Sequence, residues 1–511
     1  MEKERSYGFR HFLNTVHKPD RRDHGVKAKK GEVLVDDSWS IVVPEKAERL
    51  VVTAAKDLQD YLFTSMNVSV PLKRHADLAG KGGRRILLAA GGDLPEAGEK
   101  LTVPRSFVLA CGEESISVRG FDARGVAQGC YYIEDVMNLR EAPLVGKTSG
   151  LRREPLFSPR MVHSGWGIDQ FPDGHLHAMA HAGFDAVLVF AKGPDKTTAG
   201  YLDFNELVDR AASFGLDVYL YSYLKSSKHP DDPGAKEFYE STYGELFRQC
   251  PRAKGVVLVG ESCEFPSKDT VNTSGKPWDQ SQDHGIPCPK PSPGWWPCLD
   301  YPQWLDMVKK AVRKHNPDAD VIFWTYNWGW APEADRLKLV KALPTDVSLQ
   351  VTFEMFEQIR RGGVADMVMD YTISSPGPGA YFVSEAKAAK KRGLRLYTMS
   401  NTGGMTWDFG VAPYVPAPFQ WARRHEALHH ARRSWGLSGL MESHHYGWYP
   451  SVVSEAAKWS FWSNSPDTEE LLGRIAARDF GAKAAPHAVR RLGRKRVPGL
   501  SLIIGWITLC L

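Results

Sequence analysis

Hydrophobic and polar positions along this chain follow two regimes. Between residues 31 and 144, strand-like runs mix with two helical ones. VLVDDSWSIVVP alternates as strands do, and ERLVVTAAKDLQDYLFTSM carries apolar residues at helical spacing. RRILLAAGG reads as a short buried strand, SFVLACGEESISVRGFD as a hairpin turning at Glu113 and Glu114, and ARGVAQGCYYIEDVMNLR as a helix. The pattern predicts a small α+β accessory domain over 31–145, preceded by a polar arm over 1–30.

From residue 150 the rhythm changes. Short apolar runs recur at 160–163, 186–190, 217–221, 256–260, 321–324, 348–353, 367–371, 395–399 and 439–442. Helical patterns fall between most of them, at 175–182, 204–214, 301–315 and 385–392. Regular strand–helix alternation predicts a parallel sheet. Nine candidate strands over 150–465 suit a (β/α)8 TIM barrel with one accessory or miscounted strand. A doubly wound open sheet is the alternative, but neither GKGGRR nor LAAGGD follows an early strand and opens a helix as a phosphate loop must. Residues 466–511 read as a C-terminal helical segment with an atypical apolar end.

Composition narrows the partners. A net charge of +5 spread over 511 residues gives no basic face for nucleic acid or an anionic membrane. The N-terminus lacks an apolar signal core, so a cytoplasmic location is the default expectation. The apolar stretch 497–511 is shorter than the roughly 20 residues a spanning helix needs. It reads as a buried or altered end rather than an anchor. Seven cysteines without a C-x-x-C pair exclude a zinc ribbon and a thioredoxin-type site; Cys288 and Cys298 flank one loop and could bridge.

The chemistry gathers at strand ends. GVVLVGESCEFP is a buried strand that breaks at Gly260 and delivers Glu261 and Glu264, where barrel enzymes place catalytic groups. Cys263 between them is disfavoured as a nucleophile, because neighbouring carboxylates oppose a thiolate. Other strand ends supply Arg160, His163 and Trp166; Tyr221; Trp324, Tyr326 and Trp328; Glu354; Asp370; Trp407; and Glu442, His444 and Trp448. Carboxylates and indoles converging on one face suit glycoside hydrolysis, in which one carboxylic acid protonates the leaving oxygen and a second acts as nucleophile or base. Glu261, nearest its strand end, is the expected general acid, with Glu264 second. Glu354 is the expected partner, with Asp370 behind it. The long Pro- and Trp-rich stretch 267–302 reads as a lid or subsite wall, and the Gly/Pro-rich stretch 376–382 as a rim loop whose glycines admit a ligand.

His175, His177 and His181 show H-x-H-x-x-x-H spacing on a predicted helix. With no carboxylate partner evident nearby in sequence, they read as structural, and no metal or cofactor is expected. The serine-hydrolase pattern G-x-S-x-G does not occur.

ESISVRGFDARGVAQGCYYIEDVM (114–137) resembles the accessory domain that precedes the barrel in family 67 α-glucuronidases and family 20 β-hexosaminidases. SPRMVHSGWG is similar to the family 20 segment whose arginine binds the sugar. The resemblance implies that Arg160 takes that role, that Glu261 or Glu264 is the general acid, that Trp324 is a pocket indole and that Glu442 binds a hydroxyl. One departure is specific: family 20 carries Asp-Glu after its fourth strand, and here the pair is Gly260-Glu261. The expectation is an exo-acting glycoside hydrolase of an oligosaccharide or glycoconjugate, an N-acetylhexosaminide or a uronide. The rivals are a non-catalytic carbohydrate-binding barrel and a metal-dependent hydrolase or isomerase.

Overall fold

The computed structural model describes residues 13–78, 83–93, 100–163, 171–262, 265–273, 296–403, 406, 408, 417–444, 447–448 and 450–494. The accessory part opens with β1 (Glu32–Leu34), β2 (Trp39–Pro44), α1 (Arg49–Met66), β3 (Leu72–His75) and β4 (Arg84–Ala90). It continues with β5 (Phe107–Cys111), β6 (Ser115–Gly120), α2 (Ala123–Arg140), β7 (Leu144–Gly146) and β8 (Thr148–Arg153). Six of these strands form one mixed sheet in the order β3-β2-β4-β6-β5-β8, while β1 pairs with β7. The predicted hairpin is β5–β6, and α2 starts where the Asp122 carboxylate accepts from the Gly125 amide, a typical N-cap. The N-terminal segment is not simply a polar arm. Leu13 and His17 are buried, and the Asp20 and Arg21 amides donate to the Thr64 and Ser65 carbonyls, satisfying the last turn of α1.

The barrel begins with β9 (Arg160–His163), α3 (Asp173–His181), β10 (Ala186–Ala191), α4 (Phe204–Ser213) and β11 (Asp217–Ser222). After α5 (Ala235–Tyr239) and α6 (Glu245–Gln249) come β12 (Gly255–Val259), α7 (Tyr301–Arg313), β13 (Asp320–Trp324), α8 (Glu333–Ala342) and β14 (Ser348–Thr352). A hairpin of β15 (Gln358–Arg361) and β16 (Val364–Met367) precedes α9 (Ala380–Arg392), β17 (Arg395–Met399), α10 (Pro418–Trp435) and β18 (Leu437–Ser443). Helices α11 (Val452–Ser460), α12 (Thr468–Phe480) and α13 (Ala485–Arg494) follow. Strands β9 to β14, β17 and β18 close in that order into an eight-stranded parallel barrel. The fold is a TIM barrel preceded by an α+β accessory domain.

Of the nine predicted strands, 367–371 is the one outside the barrel. Its apolar residues Val368 and Tyr371 are buried within the β14–α9 connection without pairing in the barrel, and a short apolar run buried in a connection reads like a buried strand. Asp370 therefore follows the sixth barrel strand, not the seventh.

Strand alternation separates two cores. In β12, Val256 and Leu258 join the large outer cluster under the helices, whereas Val257 and Val259 join the barrel interior with Met161, Tyr221, Trp324 and Met441. Arg124 on α2 makes a bidentate pair with Asp217 at 2.8 and 2.7 Å, and Arg105 pairs with Asp185, tying the accessory part to the barrel. Among the described residues no helix is long and apolar enough to cross a membrane; 495–511 lie outside them.

Candidate active site

The strand alternation divides the sequence-predicted residues between the barrel mouth and the layer behind it. On β9, Met161 belongs to the interior cluster and Val162 to the outer one, so Arg160 shares the outer face and His163 the inner face. Arg160 forms a buried ion pair with Glu442, and its guanidinium donates to the Ala182 and Gly183 carbonyls at 3.3 and 3.2 Å. It lies against the rings of Phe184 and Phe461, and Thr402 Oγ1 donates to the other Glu442 oxygen at 2.8 Å. Both side chains are 1% exposed. Trp448 is likewise buried against Phe184, and Trp328 is enclosed by Tyr301 and Phe323. These four residues sit in the wall and helix layer.

The inner face is different. His444 bridges two phenols: Nε2 lies 3.1 Å from the Tyr221 hydroxyl and Nδ1 lies 2.8 Å from that of Tyr371. Around it stand His163, Trp324, Tyr326 and Tyr371, with ring centroids 5.0 to 6.3 Å away. Trp324 is held by donation from its indole to Thr352 Oγ1 at 3.1 Å. The result is an aromatic floor with fixed polar edges, suited to the C–H face and hydroxyls of a sugar ring.

Two carboxylates stand at this floor. Glu261, directly after β12, accepts a hydrogen bond from the Asn327 amide. Asp370 accepts from the Tyr326 hydroxyl at 3.0 Å and from the Tyr371 amide at 2.8 Å. Consecutive residues after β13 thus hold the two acids, and the left-handed backbone of Asn327 (φ 64°) forms part of that turn. Both carboxylates remain partly exposed. Burial pushes the Asp370 carboxyl up to about 7, against its two hydrogen bonds, and repulsion from Glu261 and Glu354 adds to the rise.

Glu354 is placed otherwise. It is fully buried, paired with Arg424 at 3.3 Å, and it accepts from the Thr372 amide at 3.1 Å and the Asn401 amide group at 3.3 Å. Arg424, in the middle of α10, also donates to the carbonyls of Pro376, Ser400, Thr372 and Ser375. This network locks the loops after β14 and β17. Gly379, expected on a ligand-facing rim, instead packs against the backbone of this region: a Cβ there would meet the Met355 carbonyl at 2.9 Å.

Trp166, Glu264 and Trp407 lie outside the described residues, as do Cys288 and most of the predicted lid. Asn327 and Tyr371 stand at strand ends in the sequence, but the sequence pattern assigns them no holding role and does not single out Arg424 at all. Asn327 had a signal, an Asn in a turn among aromatics; an arginine on a polar helix had none. The three histidines of the 175–181 stretch also differ from expectation, because carboxylates do meet two of them: Asp57 reaches His177 and His181, and Glu134 reaches His181.

No protein-family model matches the chain, and no curated protein matches it. Solved structures do share its architecture. A GH138 enzyme targeting pectin rhamnogalacturonan II aligns with a TM-score of 0.55 at 10% identity, over 88% of this chain and 68% of that one. The GH20 β-N-acetylhexosaminidase from Streptomyces coelicolor A3(2) aligns with a TM-score of 0.53 at 14% identity, over 91% and 96% of the two chains. A family GH115 4-O-methyl-α-glucuronidase with specificity for decorated arabinogalactans gives 0.52 at 11% identity, over 90% of this chain and 61% of that one. The likeness is one of fold.

Proposed function

We propose that the protein is a glycoside hydrolase acting on the end of a glycan at the mouth of its barrel. The observation that carries this is the pair Glu261 and Asp370, held by Asn327 and Tyr326 above an aromatic floor. Hydrolysis needs two carboxyl groups in different protonation states. Asp370, raised to about 7, keeps its proton on the acidic side of neutrality and serves as general acid to the leaving oxygen. Glu261 acts on the anomeric carbon, directly or through a water. This exchanges the roles first expected. Glu354, tied to Arg424, positions the loop that carries Asp370 rather than reacting.

The substrate class follows in part from Gly260. A Cβ at this position would lie 2.4 Å from the Trp328 indole nitrogen, so Trp328 occupies the space beside the strand end where family 20 has its aspartate. Without that carboxylate there is nothing at this position to orient an acetamido group. A glycoside lacking the 2-acetamido substituent, a neutral sugar or a uronide, is the better fit; the GH138 and GH115 neighbours are described as targeting pectin rhamnogalacturonan II and decorated arabinogalactans.

A panel of aryl glycosides, N-acetylhexosaminides included, tests this with the parent protein and the Glu261→Gln, Asp370→Asn and Glu354→Gln variants. Turnover lost in the first two is expected. Turnover that survives both substitutions overturns the assignment. Sugar binding by the parent without hydrolysis of any glycoside would favour the non-catalytic reading.

A further inference from the structure

The strongest unassigned feature lies outside the barrel, where the N-terminal segment, α1, α2 and α3 meet. Three imidazoles and two carboxylates converge there: His17, Asp57 on α1, Glu134 on α2, and His177 and His181 on α3. The ligand atoms of His17, Asp57, His177 and His181 all lie within 4.8 Å of one another. We propose that this cluster is a structural site for a divalent transition metal, zinc by its donor set, with His17, His177, His181 and Asp57 as ligands.

Ring orientation suits a metal. His17 Nδ1 is 2.8 Å from the Asp60 carboxylate, and His181 Nδ1 is 3.0 Å from the His177 carbonyl. Each contact suits an Nδ1–H donor and turns Nε2 toward the cluster, where a bound cation would replace the Nε2 protons that the carboxylates accept in its absence. Outer hydrogen bonds of this kind orient metal-binding histidines. Nε2 of His177 lies 2.6 Å from Asp57 Oδ1, and Nε2 of His181 lies 2.9 Å from Asp57 Oδ2. Tetrahedral zinc with bonds of about 2.0–2.1 Å sets its ligands roughly 3.3 Å apart, so small side-chain adjustments suffice.

A second observation is independent of the spacing. His17 Nε2 and Asp57 Oδ2 are buried and meet their neighbours only in ion-pair contacts that lack hydrogen-bond alignment, and the buried Glu134 Oε1 has no hydrogen-bond partner among the described residues. The His17, Asp57 and Glu134 side chains are 5%, 6% and 4% exposed. Buried polar atoms are seldom left unsatisfied, and a cation at the centre would engage the first two directly. Asp57 and Glu134 together balance the charge of a divalent ion against three neutral imidazoles. With four protein ligands the site is closed, as structural zinc sites are. It would staple the N-terminal segment and the accessory domain to the first barrel helix.

Metal analysis of the purified, tag-free protein tests this, by elemental mass spectrometry and by thermal unfolding with and without a chelator. About one zinc per chain is expected, along with a Tm that falls on chelation and recovers when zinc is returned. His177 is the most exposed ligand, at 24%, so His177→Ala should fold yet lose the metal and the chelator response. Cobalt substitution should give the visible spectrum of a tetrahedral nitrogen and oxygen site. Folded parent protein that holds no stoichiometric metal and gains no Tm from added zinc overturns the proposal. So does metal retained in full by His177→Ala. Should that variant not fold, the parent's stoichiometry and chelator response decide.

Discussion

Gly260 and Trp328 occupy one volume: the glycine ends the strand whose carboxylate enters the site, and the indole of Trp328 fills the space a side chain at 260 would need. A Cβ would approach the indole to 2.4–2.9 Å, closer than side chains pack. The departure from the family 20 pattern is therefore built into the wall of the barrel. Gly260→Asp should lower stability by about 1–3 kcal/mol through overpacking. Trp328→Leu in the same chain should recover part of that loss, a coupling readable as a double-mutant cycle in denaturant unfolding. Independent, additive effects would show that the two positions do not compete.

Asn327 holds Glu261 without touching the reaction. Glu261→Gln should cut kcat by about 10²–10⁴-fold, the usual span for a positioned carboxylate. Asn327→Ala should cost less and leave the fold intact, since the residue is partly exposed. Steady-state kinetics on the best aryl glycoside, with circular dichroism as the control, separates the two.

The Asp370 carboxyl, raised to about 7 by burial, gives the pH profile a direction. As general acid it must be protonated, so kcat/KM should fall on the alkaline side of about pH 7, and Asp370→Asn should abolish that limb with the activity. Stability moves in step. Its ionisation is disfavoured in the fold, so its contribution is fully present below its ordinary value of about 4 and is lost as pH rises through about 7. Melting curves of parent and Asp370→Asn between about pH 4 and 8 should converge at the acid end and differ at the neutral end.

Arg160 and Glu442 serve the wall. Removing one partner leaves a buried charge, so Glu442→Ala should destabilise by about 3–5 kcal/mol. The double change Arg160→Met with Glu442→Leu should recover most of it. If Arg160 bound sugar directly, that stable double variant would lose substrate affinity; an unchanged KM is expected.

The barrel and its accessory domain were legible because their cause is local. Period-two and helical patterns reflect which faces are buried, and eight of the nine predicted strands are barrel strands. The ninth failed for the same reason: burial of Val368 and Tyr371 in a connection imitates a strand. Glu261, Tyr326 and His444 were readable as strand-end residues whose neighbours alternate inward and outward. Which carboxylate partners Glu261 was not, because Glu354 and Asp370 differ only in surroundings, one locked by Arg424 from α10 and the other held by Tyr326.

What the chain alone determined was therefore periodicity: element type, order and the face each strand turns to the core. What tertiary structure decided was every relation between distant residues. Arg160 turned into the wall because Glu442, on the neighbouring strand β18, waits there. His177 and His181 acquired Asp57 and Glu134 only when two accessory helices packed on α3. Electrostatics and packing act through space, and only the fold says which residues share it.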